Sequence, residues 1–264
     1  MNAVACPVCG RAASRDPFYH DWHGRRFWLM RCGRCTHQFI HPPITGEEQD
    51  MIFRDEYFSA GGGWVGNCWD EDYLSAEPQL RLEAKEILGM LGAASGRLLD
   101  VGCAGGVFLD EARRSSFEVD GIELNASMAR IARERFGLEP VRSRIEDVEE
   151  ARWGSEFDVI TFLDVLEHIP EPGAALSKAA RWLKHEGLLF IRGPLKNSRR
   201  VMAKESARRM LRMIKRLPGY PLDANQFNVR SMETLLARAG FNGIDYINRT
   251  EDFSNILARR RLPR

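Results

Sequence analysis

Residues 98–109 read Leu98-Leu-Asp-Val-Gly-Cys-Ala-Gly-Gly-Val-Phe-Leu109: a short apolar run, a turn with three glycines in five positions, and a second apolar run. This is the pattern of a strand that turns tightly into a helix. Glycines let a backbone approach a ligand closely, and the helix start presents N–H groups with no partner inside the helix. A Walker-type phosphate loop is excluded, because no Lys-Ser/Thr pair follows the glycines. The spacing also differs from the dinucleotide fingerprint Gly-x-Gly-x-x-Gly, since Gly102, Ala104 and Gly106 are each two apart and Asp100 opens the run. Glu123 ends the next apolar segment, where a carboxylate can accept hydrogen bonds from ribose hydroxyls.

The residues around this turn repeat its texture. Strands are expected at Arg97–Val101, Glu118–Ile122, Pro140–Ser143, Phe157–Leu163 and Leu188–Arg192, with helices near 106–116, 125–136 and 173–184. Strand–helix alternation of this kind predicts an α/β fold, a mostly parallel Rossmann-like sheet with helices on both faces. Upstream, a helix over Glu77–Leu91 places Leu80, Ala84, Ile87, Leu88 and Leu91 on one side. Downstream, a helix over Ser231–Ala239 is stopped by Gly240 and followed by a strand at Gly243–Asn248. The expected organisation is a small domain at 1–45, a linker and helical segment at 46–95, the α/β domain at 96–250 with a basic helical insertion at 196–220, and a basic tail at 251–264.

Four of the six cysteines form two pairs, Cys6-Pro-Val-Cys9 and Cys32-Gly-Arg-Cys35, with 22 residues between them. Each Cys-x-x-Cys bends the chain so that both thiolates meet one ion, and two such knuckles complete a tetrahedral site for which zinc is the default metal. Gly10 and Gly33 suit the tight turns. No apolar run is long enough to span a membrane and the N-terminus has no signal-peptide core, so a cytoplasmic, reducing location is expected, where paired cysteines favour metal over disulfides. The net charge of +1 is silent about partners.

The ordered motifs together resemble class I S-adenosylmethionine-dependent methyltransferases, and in particular the ubiquinone-biosynthesis-like and small-molecule groups. The resemblance is carried by Asp100–Gly106, Gly121-Ile-Glu123, Phe157-Asp-Val-Ile-Thr-Phe-Leu-Asp-Val-Leu-Glu-His-Ile-Pro170, Gly187-Leu-Leu-Phe-Ile-Arg-Gly-Pro194 and Phe227–Phe241, and spans roughly residues 80 to 250. It implies that Asp100, Gly102, Cys103, Ala104 and Gly106 lie against the methionine part of the cofactor, and that Glu123, followed by Leu124, holds the ribose hydroxyls. It further implies that Ile145 and Glu146 contact the adenine and that Leu163 and Asp164 complete the pocket. Ala104 departs from the glycine usual at its position; helical backbone angles would accommodate its methyl group, which otherwise narrows the pocket. The cysteine segment similarly resembles zinc ribbons that precede methyltransferase domains in a large bacterial group, where an acidic-aromatic motif follows, here Phe53-Arg-Asp-Glu-Tyr-Phe58.

Methyl transfer to a hydroxyl needs alignment and loss of a proton. Asp164, Glu167 and His168 stand where such groups belong, with His168 as a general base or the three together as ligands of a divalent metal such as magnesium. A purely structural role, capping the next element, is the competing reading. The His that many relatives carry shortly before the closing Phe is absent from Asp223-Ala-Asn-Gln-Phe227, which leaves Asp223, Gln226 or His168 for that task. Between Arg192 and Arg216 stand ten Lys or Arg and one acid, Glu205, with Ala203, Ala207, Met210, Ile214 and Leu217 at helical spacing. That segment suits a lid over an anionic acceptor, a patch for nucleic acid or an anionic membrane surface, or a solvated helix. The acceptor expected is a small molecule or saccharide, methylated on oxygen. The alternatives are an RNA methyltransferase, in which Trp22, Phe27 and Trp28 stack bases beside Arg25, Arg26 and Arg31, and a scaffold that binds cofactor without turnover.

Overall fold

The computed structural model describes residues 4–53, 73–92, 95–196, 207, 210–211, 223–247 and 253–260. Most of the basic segment, most of the acidic-aromatic motif and Cys68 lie outside them; Met210 and Leu211, which are described, are exposed.

The α/β sheet is built from β5 (Gly96–Val101), β6 (Phe117–Ile122), β7 (Phe157–Leu163), β8 (Leu183–Pro194), β10 (Phe241–Ile247) and β11 (Phe253–Arg260), in the order β10-β11-β8-β7-β5-β6. β6, β5, β7 and β8 run parallel. β11 is antiparallel to β8, and β10 to β11. Alternation along each parallel strand divides the core. Leu98, Val159, Leu188 and Phe190 face the layer made by α2 (Glu77–Leu91), α3 (Val107–Arg114) and α4 (Ala126–Phe136). Leu99, Ile160, Phe162, Leu189 and Ile191 face α5 (Pro172–Trp182) and α6 (Val229–Arg238). Covering both faces is what a parallel sheet requires, and it explains the nearly continuous apolar run of β7. The chain leaves β5 for β6 on one side and later returns to β7 on the other, so the order reverses at β5 and a crevice opens beyond its carboxyl end.

The amino-terminal module is antiparallel: β1 (Val4–Ala5), β2 (Ala12–Trp22), β3 (Arg25–Cys32) and β4 (Gln38–His41), with α1 (Gly46–Met51) after it. Its sheet is completed by β9 (Asn225–Gln226), a strand from the other end of the chain that pairs with β4. Cys6, Cys32 and Cys35 are buried in the same cluster as the α5–α6 side of the α/β core. Trp22 and Phe27 form a small core of their own with Ile40, Ile44 and Ile52.

Three expectations are corrected. Pro140–Ser143 is a single bridge, Val141 to Ile122, because proline removes a ladder donor at the start of the segment. β8 begins at Leu183, five residues earlier than expected, since Leu183 already pairs with Phe157. The expected tail supplies β11, inserted between β8 and β10, with Ile256 and Ala258 buried. As β11 is held on both sides, Ile256→Ala is expected to cost about 2–5 kcal/mol, read as a lower urea midpoint at unchanged slope.

Candidate active site

The turn after β5 is pinned by the end of β6. Gly102 N–H and Cys103 N–H both donate to the Ile122 carbonyl, at 2.8 and 3.1 Å. Glu123 then reaches back: one carboxylate oxygen accepts from Ala104 N–H at 2.8 Å and the other from Asn125 N–H at 2.6 Å. Three residues of the turn, Gly102, Ala104 and Gly106, have φ of +77°, +46° and +85°. Ala104 is therefore left-handed, outside the helical geometry that would accommodate its methyl group without strain; the bond to Glu123 holds it there against the steric cost to an L-residue. Gly105 is overlaid by the Tyr73 ring, which an added Cβ would strike, and Tyr73 Oη accepts from Val107 N–H at the start of α3. Cys103 is buried beneath the turn against Gly121, while Leu124 is half-buried.

Asp100 lies on the α2–α4 side of β5, opposite Thr161 of β7 in the sheet register, and accepts from the Thr161 hydroxyl at 2.6 Å. Burial pushes its carboxyl up to about 7, against that hydrogen bond and with the nearby Glu123 charge assisting. Burial raises Glu123 too, opposed by the backbone N–H groups of Asn125, Ala104 and Leu124.

The loop after β7 carries the second group. Asp164 has φ +57° and lies 3.4 Å from Arg192 Nε at the end of β8; Arg192 also pairs with Glu83 of α2 at 2.9 Å. Burial raises Asp164, with Arg192 and His168 opposing. Leu163, the last residue of β7, packs at the edge of the α2–α4 side. Glu167 turns the other way, over Gly193, into a small apolar cavity lined by Ile191, Phe227, Met232 and Ile256, and burial lifts its carboxyl to about 7. His168 Nδ1 lies 3.6 Å from Asp223 Oδ1, and its ring meets Phe53 at 5.4 Å. The three residues expected as ligands of a divalent cation thus diverge, toward Arg192, Gly193 and Asp223. Among the described residues they do not converge as a donor set.

Ile145 and Glu146 occupy a single 3-10 turn, Ile145–Asp147. Lys178 of α5 donates to the carbonyls of Ile145, Glu146 and Val148 at 3.0, 2.7 and 2.8 Å, fixing that turn from below. Ile145 is buried, and burial raises the Glu146 carboxyl. α1 spans the gap between these loops. Asp50 meets Arg144, Gln49 donates to the His168 carbonyl, and the Phe53 carbonyl accepts from Asn125.

The four thiols gather as expected: Cys6, Cys9, Cys32 and Cys35 have sulfurs all within 4.8 Å of one another. Cys6–Cys35 and Cys9–Cys32 are 3.6 and 3.4 Å apart. A tetrahedron with metal–sulfur bonds of about 2.3 Å has edges near these lengths, so the donor set fits zinc. In both knuckles the fourth residue after the first cysteine closes the turn: Gly10 N–H to Cys6 O and Thr36 N–H to Cys32 O. Those two carry the positive φ, so the residue needing left-handed geometry is Thr36 and not Gly33.

Comparison with known proteins settles the family. A model described as a methyltransferase domain matches residues 76–246, nearly two thirds of the chain. This chain belongs to the methyltransferase-domain family. It is 34% identical over 146 residues to a ubiquinone biosynthesis O-methyltransferase of Xanthomonas oryzae pv. oryzae, covering 52% of this chain and 58% of that protein. A protein of the same description from Xylella fastidiosa is 32% identical over 142 residues, covering 52% and 56%. The match therefore spans under three fifths of these relatives. Among solved structures, an S-adenosylmethionine-dependent methyltransferase of Archaeoglobus fulgidus superposes with TM-score 0.56 at 14% identity, covering 73% of this chain and 98% of that one. Haemonchus contortus phospholethanolamine N-methyltransferase 2, solved with S-adenosylhomocysteine, gives 0.54 at 16%, covering 68% and 52%. The sheet is thus the class I methyltransferase fold.

Sequence reading missed Tyr73, Thr161, Lys178 and Asn225. Only Thr161 left a signal, as the one polar residue in the interior run Val159-Ile-Thr-Phe162. Two outcomes are expected. Ala104→Gly relieves the left-handed strain and stabilises the chain by about 1–2 kcal/mol in urea unfolding. Asp100 binds its proton more tightly folded than unfolded, so its contribution to stability is greatest below about pH 4 and falls until the folded value of about 7 is passed. Asp100→Asn flattens that fall, and Glu167→Gln removes a second part of it, in urea midpoints measured from pH 4 to 8.

Proposed function

We propose that the chain is an S-adenosylmethionine-dependent methyltransferase acting on a hydroxyl oxygen of a small molecule. The observation that carries this reading is the placement of the Glu123-braced turn and of His168, backed by Asp223, after the carboxyl ends of the neighbouring strands β5 and β7, with Phe53 touching both Asn125 and His168. When bound, S-adenosylmethionine supplies an activated methyl on a cationic sulfur. Glu123 would hold the ribose hydroxyls: its two oxygens accept the N–H groups of Ala104 and Asn125 and retain lone pairs for a ligand. Asp100 and the turn receive the methionine part, and the Lys178-held turn presents Ile145 and Glu146 to the adenine. Leu163 and Asp164 close the pocket at the end of β7.

His168 would take the proton of the acceptor hydroxyl as that oxygen receives the methyl that the bound cofactor would supply. Asp223, beside Nδ1, orients the ring and steadies the imidazolium that results. Cys6, Cys9, Cys32 and Cys35 hold zinc as a closed structural site. The small-molecule class is supported by the relatives, whose names specify ubiquinone biosynthesis. Base stacking by the ribbon is disfavoured: Trp22 and Phe27 are buried, and Trp28 is covered by Arg15 at 3.9 Å. No observation among the described residues favours a saccharide, an RNA or an anionic membrane as partner.

The test is transfer of labelled methyl to a panel of small hydroxylated aromatic compounds. Wild type labels at least one acceptor, and His168→Ala loses about 10²- to 10⁴-fold in kcat while binding S-adenosylhomocysteine as before. A His168→Ala rate equal to wild type would sink the general-base role.

A further inference from the structure

The second metal knuckle is joined to the loop bearing Glu167 and His168 by buried polar contacts. His37, two residues beyond Cys35, is fully buried, its ring stacked parallel to Phe39 at 5.9 Å and tilted against Phe227 at 5.0 Å. Its carbonyl accepts from Cys32 N–H at 2.9 Å, tying it to the knuckle. Its Nε2 lies 2.8 Å from Asn225 Oδ1, and Asn225 Nδ2 donates to the Ile169 carbonyl at 2.6 Å. Since the Asn225 nitrogen faces a carbonyl, its oxygen faces His37, and Nε2 of that ring must carry the proton. Asn225 is 1% exposed, and its backbone pairs with Phe39 in the ribbon sheet. Asp223, two residues earlier, is the residue beside His168.

Other ties join the same two bodies: Asn228 Nδ2 to the Thr36 carbonyl at 3.0 Å, and Arg238 to the Cys9 carbonyl at 3.4 Å. The turn after β5, by contrast, is braced by Ile122 and Glu123, and Asp100 by Thr161, all within the α/β sheet or its loops. The ribbon sheet thus touches the acceptor side of the crevice through side chains that hold Ile169, while the Glu123-braced turn is built without it and the Arg144 and Asn125 loops are reached through α1 and Phe53.

We propose that Asn225, held by His37 beside the four-thiol site, is a positioning residue for the His168 loop, so that the metal-bound ribbon sets the acceptor side of the site and leaves the Glu123-braced turn independent. This rests on the reading that His168 serves the acceptor. Without Asn225 the Ile169 carbonyl loses its donor, and the β9 segment carrying Asp223 loses its side-chain anchor to the loop. The ribbon's role is then internal, which accounts for aromatics that face its own core.

The test is hydrogen exchange on the zinc-loaded full chain, with metal content and S-adenosylhomocysteine affinity measured alongside. Asn225→Ala is expected to retain its zinc and its affinity within about twofold while amides 165–169 exchange about tenfold faster, and the ¹⁵N resonances of the His168 ring shift. Chelating zinc from wild type is expected to give the same acceleration with the same preserved affinity. His37→Phe keeps the ring stack and removes the Nε2–H, and is expected to accelerate the loop by a smaller factor. Unchanged exchange at 165–169 in zinc-retaining Asn225→Ala or His37→Phe would overturn the proposal, as would loss of S-adenosylhomocysteine binding on zinc removal. These readouts do not require His168 to be a base, so the two readings fail separately.

Discussion

The Ile122 carbonyl and the Glu123 carboxylate, between them, take three consecutive N–H groups of the turn after β5. That interaction fixes the register of β5 on β6, since Val101 must lie opposite Ile122 for the donors to reach. It also sustains positive φ at Ala104, which no local preference would choose. From the turn α3 departs with Gly106 as its N-cap, and the apolar side of α3 closes one layer over the sheet. The crevice, the helix and the position of Asp100 all follow from the way one strand end grips its neighbour.

At the carboxyl edge, buried acids accumulate. Asp100, Glu123 and Glu167 are each raised by burial. Folding a chain that desolvates carboxylates without matching cations is costly, and the cost is sensible where a ligand brings compensating charge and donors. A cationic sulfur and ribose hydroxyls are groups of that kind under the proposed reading. Lys178 shows the reverse case: its ammonium is satisfied by three backbone carbonyls and so holds the shape of a loop.

Much of the α/β layer was legible because local pattern and tertiary role agree there. Phe157–Leu163 and Glu77–Leu91 appear with the bounds that periodicity implies, and the two Cys-x-x-Cys pairs converge. β11 was not legible: Phe253-Ser-Asn-Ile-Leu-Ala-Arg-Arg260 mixes polar and charged residues, and its partner β8 lies some sixty residues upstream. The left-handed geometry of Ala104 was not legible, because sequence cannot reveal that Glu123 will hold its N–H. Asp164, Glu167 and His168, close in sequence, point to three different places, since Asp164 follows β7 in left-handed geometry and a 3-10 turn comes after it. Asn225 and His37 are 188 residues apart and meet only because β9 completes the ribbon sheet.

The central claim is that the Glu123-braced turn is a cofactor site. Isothermal titration of the zinc-loaded full chain with S-adenosylmethionine tests it most directly, alongside the same titration of Glu123→Ala. The account predicts one site per chain, with a dissociation constant in the roughly micromolar to millimolar range usual for enzyme ligands, and no measurable binding by the variant. Absence of binding by wild type, or equal affinity in Glu123→Ala, would contradict it.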